Sequence, residues 1–106
     1  MLSHELLVKE ALRRQEVFKN LDKYLEVIKS TVIKLEEDAQ VYLFGSVAEG
    51  EHLYSSDIDV LVVTSLDPAV VISELWKNGI KDPFEIHVCS PENLALYKSK
   101  SKLIKI

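Results

Sequence analysis

The sequence predicts an α/β fold, a small mixed sheet of three or four strands with helices mainly on one face. Two short apolar runs, 41–44 and 60–63, are rich in β-branched and aromatic residues and are bounded by turn-forming residues, which is typical of buried strands. A third run, 84–88, alternates apolar and polar residues, as a half-buried strand does. Helical patterns precede and separate these runs. A chain of 106 residues with this pattern is expected to form one domain, 1–106.

Composition excludes several classes of protein. A hydrophobic content of 47% with 28% charged residues is the balance of an ordinary globular domain. We expect no transmembrane segment and no signal peptide, and therefore a cytoplasmic protein, because no apolar run approaches the roughly 20 residues that span a bilayer. The single cysteine, Cys89, fits a reducing compartment. The net charge of −4 argues against a nucleic-acid-binding surface, which is normally basic.

The N-terminal segment, 1–37, carries the strongest helical pattern. Ser3 is the predicted N-cap, and an apolar seam follows at spacings of three and four residues. The members of the seam are Phe18, Leu21, Leu25, Ile28, Val32 and Leu35. Residues 20–22 would allow one continuous helix or two. The first half, 6–17, either packs on the domain's own sheet or extends beyond it to contact another chain.

A second helix is predicted between the second and third strands. Asp67 is its expected N-cap and Pro68 its first residue, and Gly79 is the expected C-terminal stop. Its inward-facing residues are predicted to be Val71, Leu75 and Trp76.

The end of the chain predicts a short helix that opens at Ser90-Pro91. The lysine-rich segment that follows, 98–102, is interpreted as a frayed end or an edge strand guarded by lysines, with a contact for an acidic partner as the alternative.

Two aspartates at the start of the second strand are the first candidates for a functional site. Asp57 and Asp59 are two residues apart, so on a strand they would project from the same face. Neighbouring carboxylates repel each other unless a cation lies between them. Mg²⁺ commonly binds one or two carboxylates together with substrate phosphates. The Gly45-Ser46 turn after the first strand would let a phosphate approach the backbone closely, although Ser46 with Glu49 also matches a capping box that simply starts a helix.

These residues together resemble a known signature. Gly45-Ser46, ten further residues and Asp57-Ile58-Asp59 resemble the GS-x(10)-DxD motif of the minimal nucleotidyltransferases, a family within the polymerase-beta-like superfamily. The strand before Gly-Ser and the strand through the aspartates agree with it. The resemblance covers roughly residues 30–90 and implies that the sheet region, 41–90, is catalytic.

The resemblance implies roles for individual residues. Asp57 and Asp59 would hold two Mg²⁺ ions, and Glu85 would be the third acid, beside the ion that activates an acceptor hydroxyl. Gly45, Ser46 and Ser56 would bind the nucleotide. For Glu85 the alternative is a solvated strand face. His87 is interpreted as an outward polar residue, with a contact to substrate or acceptor as the alternative, and His52 is assigned no role.

Two positions depart from the family pattern. Many relatives have arginine where this chain has Glu49, and the third acid is more usually aspartate than glutamate. The extra acceptor-binding domain of larger relatives has no counterpart in this sequence.

The resemblance implies an enzyme that transfers a nucleoside monophosphate, AMP from MgATP, to a hydroxyl and releases pyrophosphate. Small members of the family pair as antitoxins with HEPN-domain toxins and modify a tyrosine of the partner, so a HEPN-like protein is the expected partner. Two alternatives stay open. One is a partner-binding module of the same fold without catalysis, and the other is a homodimeric enzyme acting on a small molecule, with the N-terminal helix at the interface.

Overall fold

A computed structural model describes residues 3–51 and 56–106, and its centre is a mixed sheet. The strands are β1 (Gln40–Phe44), β2 (Ile58–Val63), β3 (Phe84–Cys89) and β4 (Ile104–Lys105). Their order across the sheet is β3-β2-β1-β4. β1 pairs antiparallel with β2 and β4, whereas β2 and β3 pair in parallel. The predicted mixed sheet is therefore confirmed, with a short edge strand added at the end of the chain.

Five α-helices surround this sheet in the described part of the chain. They are α1 (His4–Lys19), α2 (Leu21–Leu35), α3 (Gly45–Ala48), α4 (Pro68–Lys77) and α5 (Leu94–Lys100), the last preceded by a 3₁₀ turn (Pro91–Asn93). The larger apolar cluster joins α1, α2 and α4 to one face of the sheet, and a smaller cluster places α5 on the other face. This arrangement confirms helices mainly on one face. No helix among the residues described is long and apolar enough to cross a membrane.

The N-terminal segment forms two helices that meet at Asn20. The Asn20 side chain donates a hydrogen bond to the Glu16 carbonyl oxygen at 3.0 Å, and its backbone N–H also reaches back to that carbonyl. Its own carbonyl then accepts from the Lys23 N–H at 3.0 Å and starts α2. Asn20 thus ends α1 and begins α2, because hydrogen bonds from its side-chain amide compete locally with the backbone hydrogen bonds of a continuous helix.

The main core lies between α2, α4 and the sheet. The predicted seam is confirmed in α2, where Leu25, Ile28 and Val32 are buried. α1 contributes little to this core, because its one buried residue is Val17. Leu6, Leu7 and Leu12 are more than half exposed, whereas Val17 packs in the core, so the segment 6–17 contacts the rest of the domain mainly at its end.

The helix α4 has the predicted ends. Asp67 accepts a hydrogen bond from the Ala69 N–H at 2.9 Å, and Gly79 follows the helix with a positive φ of 86°. The prediction that Trp76 faces inward is wrong: its side chain is 57% exposed, whereas Leu75 is fully buried. Trp76 lies about 140° around the helix from buried Val71, given 100° per residue.

The C-terminal segment, from Ser90 onward, forms a helix and a short edge strand. Ser90-Pro91 opens the last helical segment as predicted, and most of the lysine-rich stretch belongs to α5. The edge strand lies after that stretch, at β4, where Ile104 pairs with Leu43.

Replacing Leu75 with alanine is expected to lower the free energy of unfolding by about 2–5 kcal/mol, because it leaves a cavity in the core. Trp76→Ala is the matched control on the next residue. It removes only an exposed ring with the Lys81 ammonium 4.7 Å from its centroid, a contact worth about 1 kcal/mol or less at an exposed site. Urea denaturation of both variants measures the difference, and equal losses would contradict the placement of α4.

Candidate active site

The parallel pairing of β2 with β3 brings two acids together. Asp59 is the direct partner of Glu85 in the register, and paired residues of a parallel ladder point to the same face. That face is opposite the main core, since the residues flanking Asp59, Ile58 and Val60, are fully buried on the helix side. This register therefore provides the strand neighbourhood that the predicted pairing of the Asp59 and Glu85 carboxylates requires.

A histidine completes this group. Asp59, Glu85 and His87 each offer a ligand atom, and these three atoms lie within 4.8 Å of one another. The His87 Nε2 atom is 3.3 Å from Asp59 Oδ1 and 3.5 Å from Glu85 Oε1. The three residues are called the acid–histidine cluster below. The alternation of this strand places His87 on the same face as Glu85, but the sequence offered it a contact with substrate or acceptor and not a place in a metal site.

Aromatic rings hold the imidazole in place. The Phe44 and His87 ring centroids are 4.9 Å apart with planes at 70°, an edge-to-face arrangement. Phe44 in turn meets Tyr97 of α5 edge-to-face at 6.0 Å. A cavity of about 330 Å³ opens beside them, lined by Phe44, Leu96, Tyr97, Lys100 and Ser101. The cavity lies next to the Phe44 ring that contacts His87, and its lining residues do not include the acid–histidine cluster itself.

Gly45 fits tightly against the cluster. It begins α3 with a φ of +75°, and a Cβ at this position would overlap the Asp59 carboxylate. Only glycine meets both requirements without strain. Ser46 follows inside α3 and is half-buried. The capping-box prediction for Ser46 is wrong, because the N-cap of α3 is Phe44.

The first aspartate of the motif has different neighbours. β2 begins at Ile58, so Asp57 lies just before the strand, and among the residues described it stands outside the acid–histidine cluster. Its Oδ1 atom is 3.9 Å from a guanidinium nitrogen of Arg14, on α1. Arg14 also donates to the Ser56 carbonyl oxygen at 3.3 Å and pairs with Asp82 at 3.1 Å. The structure therefore places Asp57 and Ser56 beside α1, whereas His52 lies outside the described residues.

The donor set of the cluster suits a divalent cation. Two carboxylates supply oxygen ligands for a hard ion, and a histidine nitrogen is a common additional ligand. Glu85 is 55% exposed and Asp59 24% exposed, so an ion could enter from solvent. Cys89, two residues beyond His87, is a poor ligand, because burial raises the pKa of its thiol and keeps it protonated at neutral pH.

Comparison with known proteins decides the family. The sequence matches the nucleotidyltransferase domain family over residues 21–104. The chain belongs to this family. The match includes the cluster and every predicted nucleotide-binding residue, but it leaves out the whole of α1.

Solved structures of other nucleotidyltransferase candidates share the fold. One is 29% identical, with a TM-score of 0.59, and the match covers 77% of this chain and 96% of the other. Another, from Sulfolobus solfataricus, is 24% identical, with a TM-score of 0.60 over 89% of this chain and 85% of the other. No curated protein matches the sequence.

Gly45→Ala is expected to weaken binding of metal and nucleotide beyond its effect on folding, because the new methyl group displaces the Asp59 carboxylate. Gly79→Ala is the control: its φ is also positive, at 86°, but a Cβ there meets nothing within 4 Å. Both variants should lose about 1–2 kcal/mol of unfolding free energy to backbone strain. Calorimetric titration should show the binding defect in Gly45→Ala alone, and an equal defect in both would contradict the overlap.

Arg14→Met is expected to loosen α1, since this side chain ties the helix to Ser56, Asp57 and Asp82. Arg13→Met is the comparison, because Arg13 is 44% exposed and reaches only Asp82 of those three. Hydrogen exchange in residues 4–19 should accelerate more in Arg14→Met. Indistinguishable exchange in the two variants would refute the tether.

Proposed function

We propose that this nucleotidyltransferase transfers a nucleoside monophosphate, AMP from MgATP, to a hydroxyl group of a partner protein. The observation that carries the proposal is the acid–histidine cluster, which lies against the Gly45 turn in a chain of this family. Carboxylates that converge beside a glycine turn suit a metal-bound triphosphate, because the acids bind the ion and the turn lets phosphate oxygens approach the backbone.

In the proposed reaction the acceptor oxygen forms a bond to the α-phosphorus of ATP. The bond between that phosphorus and the bridging oxygen breaks, pyrophosphate leaves, and the hydroxyl proton passes to water. When bound, divalent ions would lower the pKa of the acceptor hydroxyl and neutralise the negative charge of the phosphates, as such a transfer requires. Asp59 and Glu85 hold the ion beside the acceptor, and Gly45 and Ser46 present backbone to the phosphates.

Asp57 is assigned to the second metal ion, together with Asp59. Its contact with Arg14 is 3.9 Å long and the Asp57 side chain is 52% exposed, and ion pairs that solvent reaches in this way stabilise a protein by about 1 kcal/mol or less. The free energy of binding a divalent ion together with its triphosphate exceeds that of an ion pair of this strength, so Asp57 can exchange Arg14 for the ion. Ser56, directly before Asp57, is the remaining nucleotide-binding residue of the proposal.

The partner is proposed to be a HEPN-like protein, with this chain as the antitoxin of the pair. Support comes from α1, where the apolar side chains of Val8 and Leu12 are 43% and 58% exposed and lie about one turn apart on the same face of the helix. Apolar side chains that are exposed next to each other often mark protein interfaces. The family resemblance supplies the identity of the partner, and a tyrosine hydroxyl is the acceptor it implies.

Asp59→Asn is expected to reduce AMP transfer at least about a hundredfold, since it removes a carboxylate from the ion that activates the acceptor. Asp38→Asn is the control, an exposed acid that precedes β1 at the end of that strand away from the cluster. Each variant is incubated with α-labelled ATP, Mg²⁺ and a co-purified HEPN-domain protein. Label on a partner tyrosine, together with released pyrophosphate, is the measured product.

Transfer that persists in Asp59→Asn would contradict the proposed site. A wild-type chain that binds the HEPN-domain protein but never labels it would favour a partner-binding module. Label on a small molecule together with a stable homodimer would favour the small-molecule enzyme.

A further inference from the structure

We propose that His87 is a direct ligand of the ion held by Asp59 and Glu85, and that this ion is a first-row transition metal such as Mn²⁺ rather than Mg²⁺. The inference rests on the proposed function and refines its metal site. Under it, Mg²⁺ accompanies the triphosphate, whereas the ion bound to the protein itself has a nitrogen ligand.

The first argument is the position of the imidazole nitrogen. Two donors bound at right angles to one ion, each at about 2.1–2.2 Å, lie about 3 Å apart. The separations from His87 Nε2 to Asp59 Oδ1 and Glu85 Oε1 are 3.3 and 3.5 Å. One nitrogen is thus close to ligand spacing from both carboxylates at once.

The second argument is that one hydrogen bond accounts for only one of these two contacts. An N–H···O bond normally measures 2.7–3.2 Å between heavy atoms, with a typical value of about 2.9 Å. The contact of His87 with Asp59 is a long hydrogen bond at 3.3 Å, and the contact with Glu85 is 3.5 Å long. A single N–H also cannot align with two carboxylates, whereas one ion between three donors satisfies all of them.

The third argument is that the ring is oriented before any ion binds. Phe44 packs edge-to-face on the imidazole, and Tyr97 packs on Phe44. The His87 side chain is 31% exposed, so it is held on a half-buried sheet face instead of extending into solvent. A ligand that is already in place loses little conformational freedom on binding.

The chemistry of the donor set then selects the metal. Mg²⁺ prefers oxygen ligands and retains its waters, whereas imidazole nitrogen favours first-row transition ions. Two carboxylates with one imidazole therefore favour an ion that accepts both donor types. Mn²⁺ does so and is also a convenient spectroscopic probe.

The test is Mn²⁺ binding without nucleotide, followed by electron paramagnetic resonance. Nitrogen-14 coupling to bound Mn²⁺ reports an imidazole ligand directly, independently of activity. The variants are His87→Asn and the control His4→Asn. His4 is exposed at the start of α1, ten residues and about 15 Å of helix before Arg14.

We expect nitrogen coupling in the wild-type chain and in His4→Asn, and none in His87→Asn. Loss of the ligand should weaken Mn²⁺ binding about tenfold or more but should leave the affinity for Mg²⁺ nearly unchanged, so that Mg²⁺ displaces Mn²⁺ more easily. Circular dichroism melting shows whether His87→Asn is folded. If it is not, His87→Gln provides the same comparison.

Mn²⁺ bound without nitrogen coupling, or coupling that survives in His87→Asn, would overturn the inference. Asp59→Asn separates this failure from failure of the proposed function. If Asp59→Asn loses Mn²⁺ while His87→Asn binds it normally, the metal site stands and only the histidine ligand is wrong. If Asp59→Asn binds Mn²⁺ as well as wild type, neither proposal survives.

Discussion

The parallel register between β2 and β3 is the constraint on which the site depends. It sets Asp59 opposite Glu85, and the core enforces it, because Val60 and Val62 are fully buried on the opposite face. A slip of one residue would turn every β3 side chain to the other face and move the glutamate into the apolar core. Hydrophobic burial in the sheet is therefore what holds two mutually repelling carboxylates together. A cation between them offsets that repulsion.

Local patterns predicted much of this arrangement from the sequence. Two apolar runs and one alternating run mark the long strands, and the Asp67-Pro68 and Gly79 signals mark the ends of α4, because capping depends on neighbouring residues alone. The alternation of β3 placed Glu85 on a polar face. Whether Glu85 would lie near Asp59 depended on the order of the strands in the sheet, and a local sequence pattern does not encode that order.

Features that depend on tertiary contacts were not predictable in the same way. Asp57 pairs with Arg14, a residue more than forty positions earlier, and only the fold brings them together. His87 looked like an ordinary polar residue until Phe44 on β1 was seen to position its ring. Trp76 looked like a core residue because it is large and apolar, yet its angle on α4 turns it outward. In each case the outcome depends on a contact with another element or on the direction in which the residue points from its helix.

The central claim is that acids from two neighbouring strands together hold a metal-bound nucleotide. Calorimetric titration of MgATP into the wild-type chain and Glu85→Gln tests it most directly, with exposed Glu26→Gln on α2 as the control. The account predicts magnesium-dependent binding in wild type and Glu26→Gln, and a clear loss in Glu85→Gln at unchanged thermal stability. Equal binding in all three proteins, or no binding by the folded wild-type chain, would contradict it.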